Sequence, residues 1–252
     1  MVNSSKTDKC YVYFDKLTFS IADRILYFNG GSSTITAKSA PTFSSLSTTN
    51  EGMYAAPDNY GTSYYFRGAV NNNWLYFAGF YWRIIRINGD NSVRIIFSGT
   101  TAPTSSTDTV MTGAGTQIGT NMYNDGGGDN QFVGYKYTSG TVHGTSVNST
   151  MKTYIENWYT NNLSSYSSLL SDSIYCNDRI PYNDANGQAT GYGTTDFATF
   201  YAPYIRTYTN HLPILNCLTK EDSFTVSDQT TPNMIQRING IFERNPLISK
   251  GI

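Results

Sequence analysis

The sequence predicts an α+β fold, in which antiparallel β-hairpins combine with one or two amphipathic helices and long irregular loops. Two apolar runs, "WLYFAGFYWRIIRI" and "SVRIIF", flank Asn88-Gly89-Asp90-Asn91, and a short Asn-Gly stretch between such runs is typical of a hairpin turn. Helical spacing of apolar residues occurs farther on, in "STMKTYIENWYTNN". Polar stretches rich in Asn, Asp, Gly, Ser and Thr connect these segments.

The chain divides into three parts on this pattern: residues 1–60, 61–228 and 229–252. In the N-terminal segment, "CYVYF" favours a strand because Tyr and Val suit a pleated surface, and "FSIADRILYF" predicts a short helix. Residues 32–60 are rich in Ser, Thr, Ala and Pro, which indicates irregular structure or weak edge strands that pack on the main module. The C-terminal tail differs in composition from the main α+β module.

The central hairpins form the core of the main module. "SYYFRGAV" predicts a strand, "NNN" a turn, and "WLYFAGFYWRIIRI" a second strand in which Gly79 allows a β-bulge. Within "YWRIIRI" the apolar positions shift register between Ile84 and Ile87. We expect most of these aromatic residues to lie in the core, with those beside the turns exposed: Trp74, Tyr76 and Tyr81.

A helix should begin after the long polar stretch 98–148. Ser149 can cap it, and Met151, Ile155, Trp158 and Tyr159 then share one face. Lys152 and Glu156 are four residues apart and are expected on the other face. "SSYSSLLSDSIYC" predicts a second, shorter helix.

Composition and charge exclude two classes of function. The net charge is −1 with no block of Lys and Arg, so the basic footprint of a nucleic-acid-binding protein is missing. No apolar run approaches the roughly 18–20 residues of a membrane span.

Only 14% of residues are charged, and Ser, Thr, Asn and Gly must cover the surface instead. Such surfaces are common on secreted and cell-surface bacterial proteins, and we expect an extracellular or cell-surface location.

Three cysteines are present, Cys10, Cys176 and Cys217, without a CxxC pair that would indicate structural zinc. In an oxidising compartment Cys176 pairs with Cys217 and leaves Cys10 unpaired. In a reducing compartment the same residues are three separate thiols.

The segments "NEGMYAAPDNYGTSYYFRGAVNNNWLYFAGFYWRIIRINGDNSVRIIFSGT", "MKTYIENWYTNNL" and "SDSIYCNDR" resemble a group of uncharacterised exported or surface proteins of gut-dwelling Gram-positive bacteria. The order of hairpin, polar insert and helix is also similar to C-type-lectin-like and sulfatase-modifying-factor-like modules. That resemblance implies small sheets, one or two helices and long loops that display binding residues. Members of the group continue past "LNCLTKEDSFTV" into further strands, so the resemblance implies an incomplete C-type-lectin-like module here.

Two kinds of binding site are consistent with the residues. A glycan site needs aromatic faces for sugar rings and amides or carboxylates for hydroxyls, and its candidate residues are Trp74, Tyr81, Tyr182, Asn183 and Tyr192. Calcium takes six to eight oxygen ligands, and its candidates lie in one Asx-rich loop: Asp178, Asn183, Asp184 and Asn186. No other cofactor is expected. Because Asn, Asp and Gly also form ordinary turns, both sites compete with a purely structural interpretation.

Enzyme activity is a third and weaker alternative. Cys176 or Cys217 with His143 or His211 has the composition of a thiol nucleophile and its base, but neither cysteine lies in a recognisable nucleophile turn. We therefore expect no enzyme. The sequence favours an extracytoplasmic adhesion module whose partner is a glycan or a neighbouring surface protein. The alternative is a structural or protein-interaction domain of the pilin or stalk kind.

Overall fold

The computed structural model describes residues 19–44, 47–102, 114–123, 135–138, 144–171, 173–176, 214–217 and 223–224. The helices are α1 (Ile21–Phe28), α2 (Ser32–Ala37) and α3 (Thr150–Asn162), with 3₁₀ turns at Ala114–Thr116 and Ser164–Leu169. The strands are β1 (Asn50–Asp58), β2 (Gly61–Gly68), β3 (Trp74–Phe77), β4 (Phe80–Ile87), β5 (Val93–Phe97), β6 (Lys136–Tyr137), β7 (Val147–Asn148), β8 (Tyr175–Cys176) and β9 (Ser223–Phe224). The predicted α+β class with antiparallel hairpins is confirmed.

Strand β4 organises the five-stranded sheet. Strands β1, β2, β4 and β3 follow one another, and β5 also pairs with β4. The first half of β4 pairs with β3, its second half pairs with β2 at Tyr64 and Tyr65, and β5 pairs along both halves. All of these pairings are antiparallel, and β1–β2 is a hairpin that begins at Asn50, on the N-terminal side of residue 61.

The stretch "WLYFAGFYWRIIRI" is two strands rather than one. Ala78 and Gly79 both have positive φ, 54° and 84°, and this combination closes the two-residue turn between β3 and β4. The predicted bulge at Gly79 is therefore wrong, because the chain reverses direction there. A register irregularity does occur between Ile84 and Arg86, where the sequence predicted a shift. The predicted turn at Asn88–Asn91 is confirmed, with the Asn88 N–H bonded to the Ser92 carbonyl at 2.8 Å.

Two apolar clusters on the sheet contain several of the aromatic residues. The first joins Trp82 and Phe97 to Ile155, Tyr159 and Leu163 at α3. The second joins Met53, Phe66, Ile84 and Ile87 to residues of α1 and α2. Trp82 is fully buried, its ring centroid lies 5.6 Å from that of Phe97, and its Nε1 donates to the Phe77 carbonyl at 2.9 Å. Most aromatic residues of the hairpin are thus core residues, as expected.

The helices follow their capping residues. Ser20 and Asp23 form a capping box at the start of α1, and the Ser149 hydroxyl accepts from the Lys152 N–H at 3.0 Å at the start of α3. Both helices were predicted. The short helix α2 lies in a segment that was expected to be irregular, although β1, farther along that segment, is an edge strand as proposed. The second helix predicted in "SSYSSLLSDSIYC" is only a 3₁₀ turn that precedes the extended residues of β8.

Lys152 was expected on the solvent face of α3, and this was wrong. Its side chain is buried and forms an ion pair with Glu156 one turn later. A lysine stem is long and apolar, so it can be buried when its ammonium group finds a carboxylate. The four-residue spacing predicted the pair correctly but not the face on which it lies.

The predicted disulfide between Cys176 and Cys217 is present, with the two Cα atoms 5.3 Å apart and 41 positions between them in sequence. It connects β8 to a short segment that also touches the sheet. Leu215 forms a β-bridge with Asp58, and the Cys217 N–H donates to the Asn59 side chain at 3.0 Å. Cys10 lies outside the described residues.

Among the helices that the structure describes, none is long and apolar enough to cross a membrane.

Breaking the disulfide should destabilise the protein. Closing a loop of about 40 residues contributes roughly 3–4 kcal/mol in the chain-entropy model. We therefore expect the free energy of unfolding, measured in urea, to fall by about that amount in Cys176→Ser/Cys217→Ser and in reduced wild-type protein. Cys10→Ser, which leaves the bridge in place, is the control. If reduction leaves the unfolding midpoint unchanged, the bridge does not form in solution.

Two glycines with positive φ should respond differently to alanine. Gly79 has open space where a Cβ would lie, so Gly79→Ala meets only backbone strain of about 1–2 kcal/mol. A Cβ on Gly68 would collide with the Thr49 carbonyl oxygen, which adds a steric cost to the same strain. Urea unfolding should rank Gly68→Ala as clearly the less stable variant. Equal losses in the two variants would contradict the close approach of Gly68 to Thr49.

Candidate functional site

Three aromatic side chains lie on one face of the β3–β4 hairpin, and we call Trp74, Tyr76 and Tyr81 the aromatic strip. Trp74 is opposite Arg83, and Tyr76 is opposite Tyr81, so alternation along the strands places these side chains together. The Tyr76 and Tyr81 ring centroids are 4.9 Å apart with their planes at 52°. Tyr76 is 63% exposed, and Trp74 and Tyr81 are half-buried.

The same hairpin supports the strip from its other face. Leu75, Phe77, Phe80 and Trp82 alternate with the strip residues and pack in the first apolar cluster. The Tyr81 N–H donates to the Gly99 carbonyl at 2.8 Å, and the Ser98 N–H donates to the Tyr81 carbonyl at 2.9 Å. The strip therefore rests on a hairpin that is fixed by a buried core on one side and by the extension of β5 along its edge.

Arg83 lies directly beside the strip. Its guanidinium carbon is 5.1 Å from the centre of the Trp74 ring, within the range of a cation–π interaction. The side chain is only 2% exposed, and Nη2 donates to the Val70 carbonyl at 3.1 Å. No acceptor among the described residues lies within hydrogen-bond distance of Nε or Nη1. Burial lowers the pKa of Arg83 to about 10, so the group remains charged at neutral pH.

Arg83 belongs to a set of four buried arginines on this face, which we call the guanidinium row. The row consists of Arg67, Arg83, Arg86 and Arg94. Arg83 is opposite Ile96, and Arg86 is opposite Arg94 and Tyr65, so the register places them on a common face. Three of the four also stack on an aromatic ring: Arg67 on Phe43, Arg83 on Trp74, and Arg94 on Tyr175.

The row carries more positive charge than its described neighbours neutralise. Within the described part of the chain, the only carboxylate in an ion pair with the row is that of Glu51, on Arg67. The Asp58 carboxylate is nearby but accepts from the backbone N–H groups of Tyr60, Gly61 and Gly89. Burial, together with the neighbouring Arg94, lowers the pKa of Arg86 to about 9. A buried donor without an acceptor costs about 1–3 kcal/mol, and an anion that reached these donors would offset that cost.

The structure brings together only part of the site that the sequence predicts. Trp74 and Tyr81 lie on one face but are half-buried and not fully exposed, whereas Tyr182, Asn183 and Tyr192 lie outside the described residues. The calcium candidates Asp178, Asn183, Asp184 and Asn186 also lie outside them. Within the described ranges, no three His, Cys, Asp or Glu side chains are placed to share a metal ion.

Sequence reasoning missed the burial of the arginines and the full membership of the strip. Tyr76 was expected to be exposed but was not assigned to the site, although alternation already places it beside Tyr81. Arg83 and Arg86 were recognised only as interruptions of an apolar run. The signal was their number: arginine recurs on three neighbouring strands, at 67, at 83 and 86, and at 94. Because Cys176 and Cys217 form the disulfide, neither offers a free thiol for nucleophilic chemistry in this structure.

Comparison of the chain with family models, curated proteins and solved structures found no match. The proposals below therefore depend on the residues themselves.

The buried side chain of Lys152 should make the stability of the protein depend on pH. Burial, together with the neighbouring Lys136, outweighs the ion pair with Glu156 and lowers the pKa of Lys152 from 10.5 to about 7. The unfolded chain then binds more protons than the folded protein between these values, so stability should rise as the pH rises from about 7 towards 10 and fall as it drops through about 7. We expect the free energy of unfolding of the wild-type protein, measured in urea at pH 6.5, 8 and 9.5, to increase with pH.

Lys152→Met removes the titrating group and should flatten the slope while keeping the side-chain volume. The matched control is Lys38→Met, which removes a lysine outside the apolar clusters around α3. Identical pH slopes in wild type and Lys152→Met would mean that Lys152 stays charged in the folded protein.

Proposed function

We propose that the chain is a non-enzymatic binding module of a bacterial surface protein that recognises a glycan through the aromatic strip. The observation that carries the proposal is the pair Tyr76–Tyr81, since a 63%-exposed tyrosine is held against a second ring on a rigid hairpin. Tyrosine rings offer an apolar face for the C–H groups of a sugar and a hydroxyl for its polar edge. Low charge and a surface rich in Ser, Thr and Asn support an extracytoplasmic location.

The disulfide between Cys176 and Cys217 adds to that support, because such bridges persist in oxidising environments and are rare in the cytosol. The resemblance to exported proteins of gut-dwelling Gram-positive bacteria points to the same compartment. The strip lies on the open face of a hairpin, which suits the side of an extended polysaccharide better than a single enclosed sugar.

A second candidate function is protein interaction, and one patch favours it. The patch consists of four exposed apolar residues around α1: Phe19, Ile21, Tyr27 and Phe28. Tyr27 and Phe28 are 71% and 75% exposed, and their ring centroids lie 5.5 Å apart. An exposed cluster of this kind is typical of a protein contact. In this alternative the module is a structural domain of the pilin or stalk kind.

Binding to polysaccharides tests the proposal directly. The wild-type protein should be retarded in affinity gels that contain soluble polysaccharides or should bind an insoluble cell-wall preparation. Tyr76→Ala removes one ring of the pair, and a lost aromatic contact of about 1–1.5 kcal/mol should weaken binding roughly tenfold. Tyr27→Ala is the matched control, since it removes an equally exposed tyrosine from the α1 patch.

The two candidate functions give opposite patterns in these variants. Loss of glycan binding in Tyr76→Ala but not in Tyr27→Ala supports the proposal. If no polysaccharide or cell-wall preparation binds, and only Tyr27→Ala changes self-association measured by light scattering, the protein-interaction function replaces it.

A further inference from the structure

We propose that the aromatic strip selects glycans that carry a carboxylate, and that Arg83 is the group that binds this carboxylate once the Trp74 ring moves aside. The inference deepens the proposed function and depends on it. The strip supplies contacts that any sugar can use, whereas Arg83 supplies a charge that only an acidic sugar can use.

The first argument is the unsatisfied hydrogen bonding of Arg83. The side chain is 98% buried, one of its N–H groups reaches the Val70 carbonyl, and within the described residues Nε and Nη1 have no acceptor. Nε and one terminal nitrogen are the edge that a guanidinium presents to a carboxylate in a bidentate pair. Nη2 carries two N–H groups, one beside Nε and one beside Nη1, and only one of them donates to Val70. One bidentate edge, formed by Nη2 with either Nε or Nη1, therefore has no described acceptor.

The second argument is the comparison with the other members of the guanidinium row. Arg67 already has the Glu51 carboxylate, and Arg94 donates to the Ile174 carbonyl at 2.9 Å while it stacks on Tyr175. Arg86 uses its Nε for the Asn88 side chain at 2.8 Å, so its corresponding edge is occupied. Of these four residues, Arg83 combines a vacant Nε with a position next to exposed aromatic rings.

The third argument is the position of Trp74. Its half-buried ring lies against the Arg83 guanidinium. Binding of a carboxylate at Arg83 therefore requires the Trp74 side chain to change rotamer and uncover the guanidinium. The cross-strand pairs Trp74–Arg83 and Tyr76–Tyr81 are adjacent on the same face, about 7 Å apart along the strand. A sugar chain laid along the strip therefore has one residue on the tyrosines and a neighbouring residue beside Arg83.

The charge of this face supports the same ligand class. Four buried guanidinium groups share the face, and an unneutralised positive charge in a low-dielectric setting attracts anions strongly. The net charge of the whole chain is −1, so the excess of positive charge is local to this face.

The test compares one polymer in two forms, polygalacturonate and the same polymer with its carboxylates methyl-esterified. Binding to wild-type protein is measured by isothermal titration calorimetry at a fixed salt concentration. We expect the acid form to bind at least about tenfold more tightly, as a charge-assisted bidentate pair requires. Arg83→Gln should lose this preference and still bind the ester. Arg83→Lys keeps the positive charge but lacks the paired N–H groups of a guanidinium, so it should retain only part of the preference for the acid form.

Arg24→Gln is the matched control, because it removes an exposed arginine from α1 and should leave the preference intact. Equal affinity of the wild type for acid and ester overturns the inference and leaves the proposed glycan-binding function standing; this comparison needs no variant to fold. A preference that Arg24→Gln and Arg83→Gln reduce equally also overturns it, since the cause is then diffuse surface charge. Absence of binding to both forms and to every neutral polysaccharide overturns the proposed function as well.

Discussion

The pleat of strand β4 is the constraint on which the sheet depends. Successive side chains point to opposite faces, so Trp82 enters the aromatic core while Arg83 enters the opposite face. The Trp82 indole also donates to the Phe77 carbonyl, which ties β4 to the end of β3. Both faces of the same strand are thereby buried, one by rings and the other by guanidinium groups. A slip of one residue in β4 would exchange the two environments.

Different kinds of side chain fill the two faces of the sheet. The face towards α3 is filled by rings in edge-to-face contact, such as Trp82 with Phe97 and Phe97 with Trp158. The opposite face uses arginines that stack on rings, and this allows charged residues to lie where leucine or isoleucine would be usual. A chain with 15% aromatic residues and few charged ones can therefore build a core on both sides. This arrangement has an energetic cost at Arg83 and Arg86, each of which has a buried donor without a described acceptor.

The sequence predicted local features well and burial of polar groups poorly. The turn at Asn88–Asn91, helix α1, the Ser149 cap of α3 and the shift after Ile84 follow from short-range chemistry, and all were found. The disulfide was predicted from the number of cysteines and an oxidising compartment, and it is also present. The turn at Ala78-Gly79 was missed because alanine rarely adopts positive φ, so the pair lacks the usual Asn-Gly signature. Lys152 was assigned to the face of α3 opposite its apolar residues because charge normally predicts exposure, and the burial of Arg83 was not predicted. The Val70 carbonyl that accepts from Arg83 belongs to another part of the chain, and no local pattern shows it.

The disulfide also bears on the cost of changing the chain length between its two cysteines. It holds the Cα atoms of Cys176 and Cys217 5.3 Å apart. The entropic cost of a closed loop grows only with the logarithm of its length, about 0.6 kcal/mol for each doubling. In loop-closure entropy, an insertion or deletion between the two cysteines therefore changes the free energy of unfolding only slightly. A foreign peptide inserted there adds the same small term to the closure entropy.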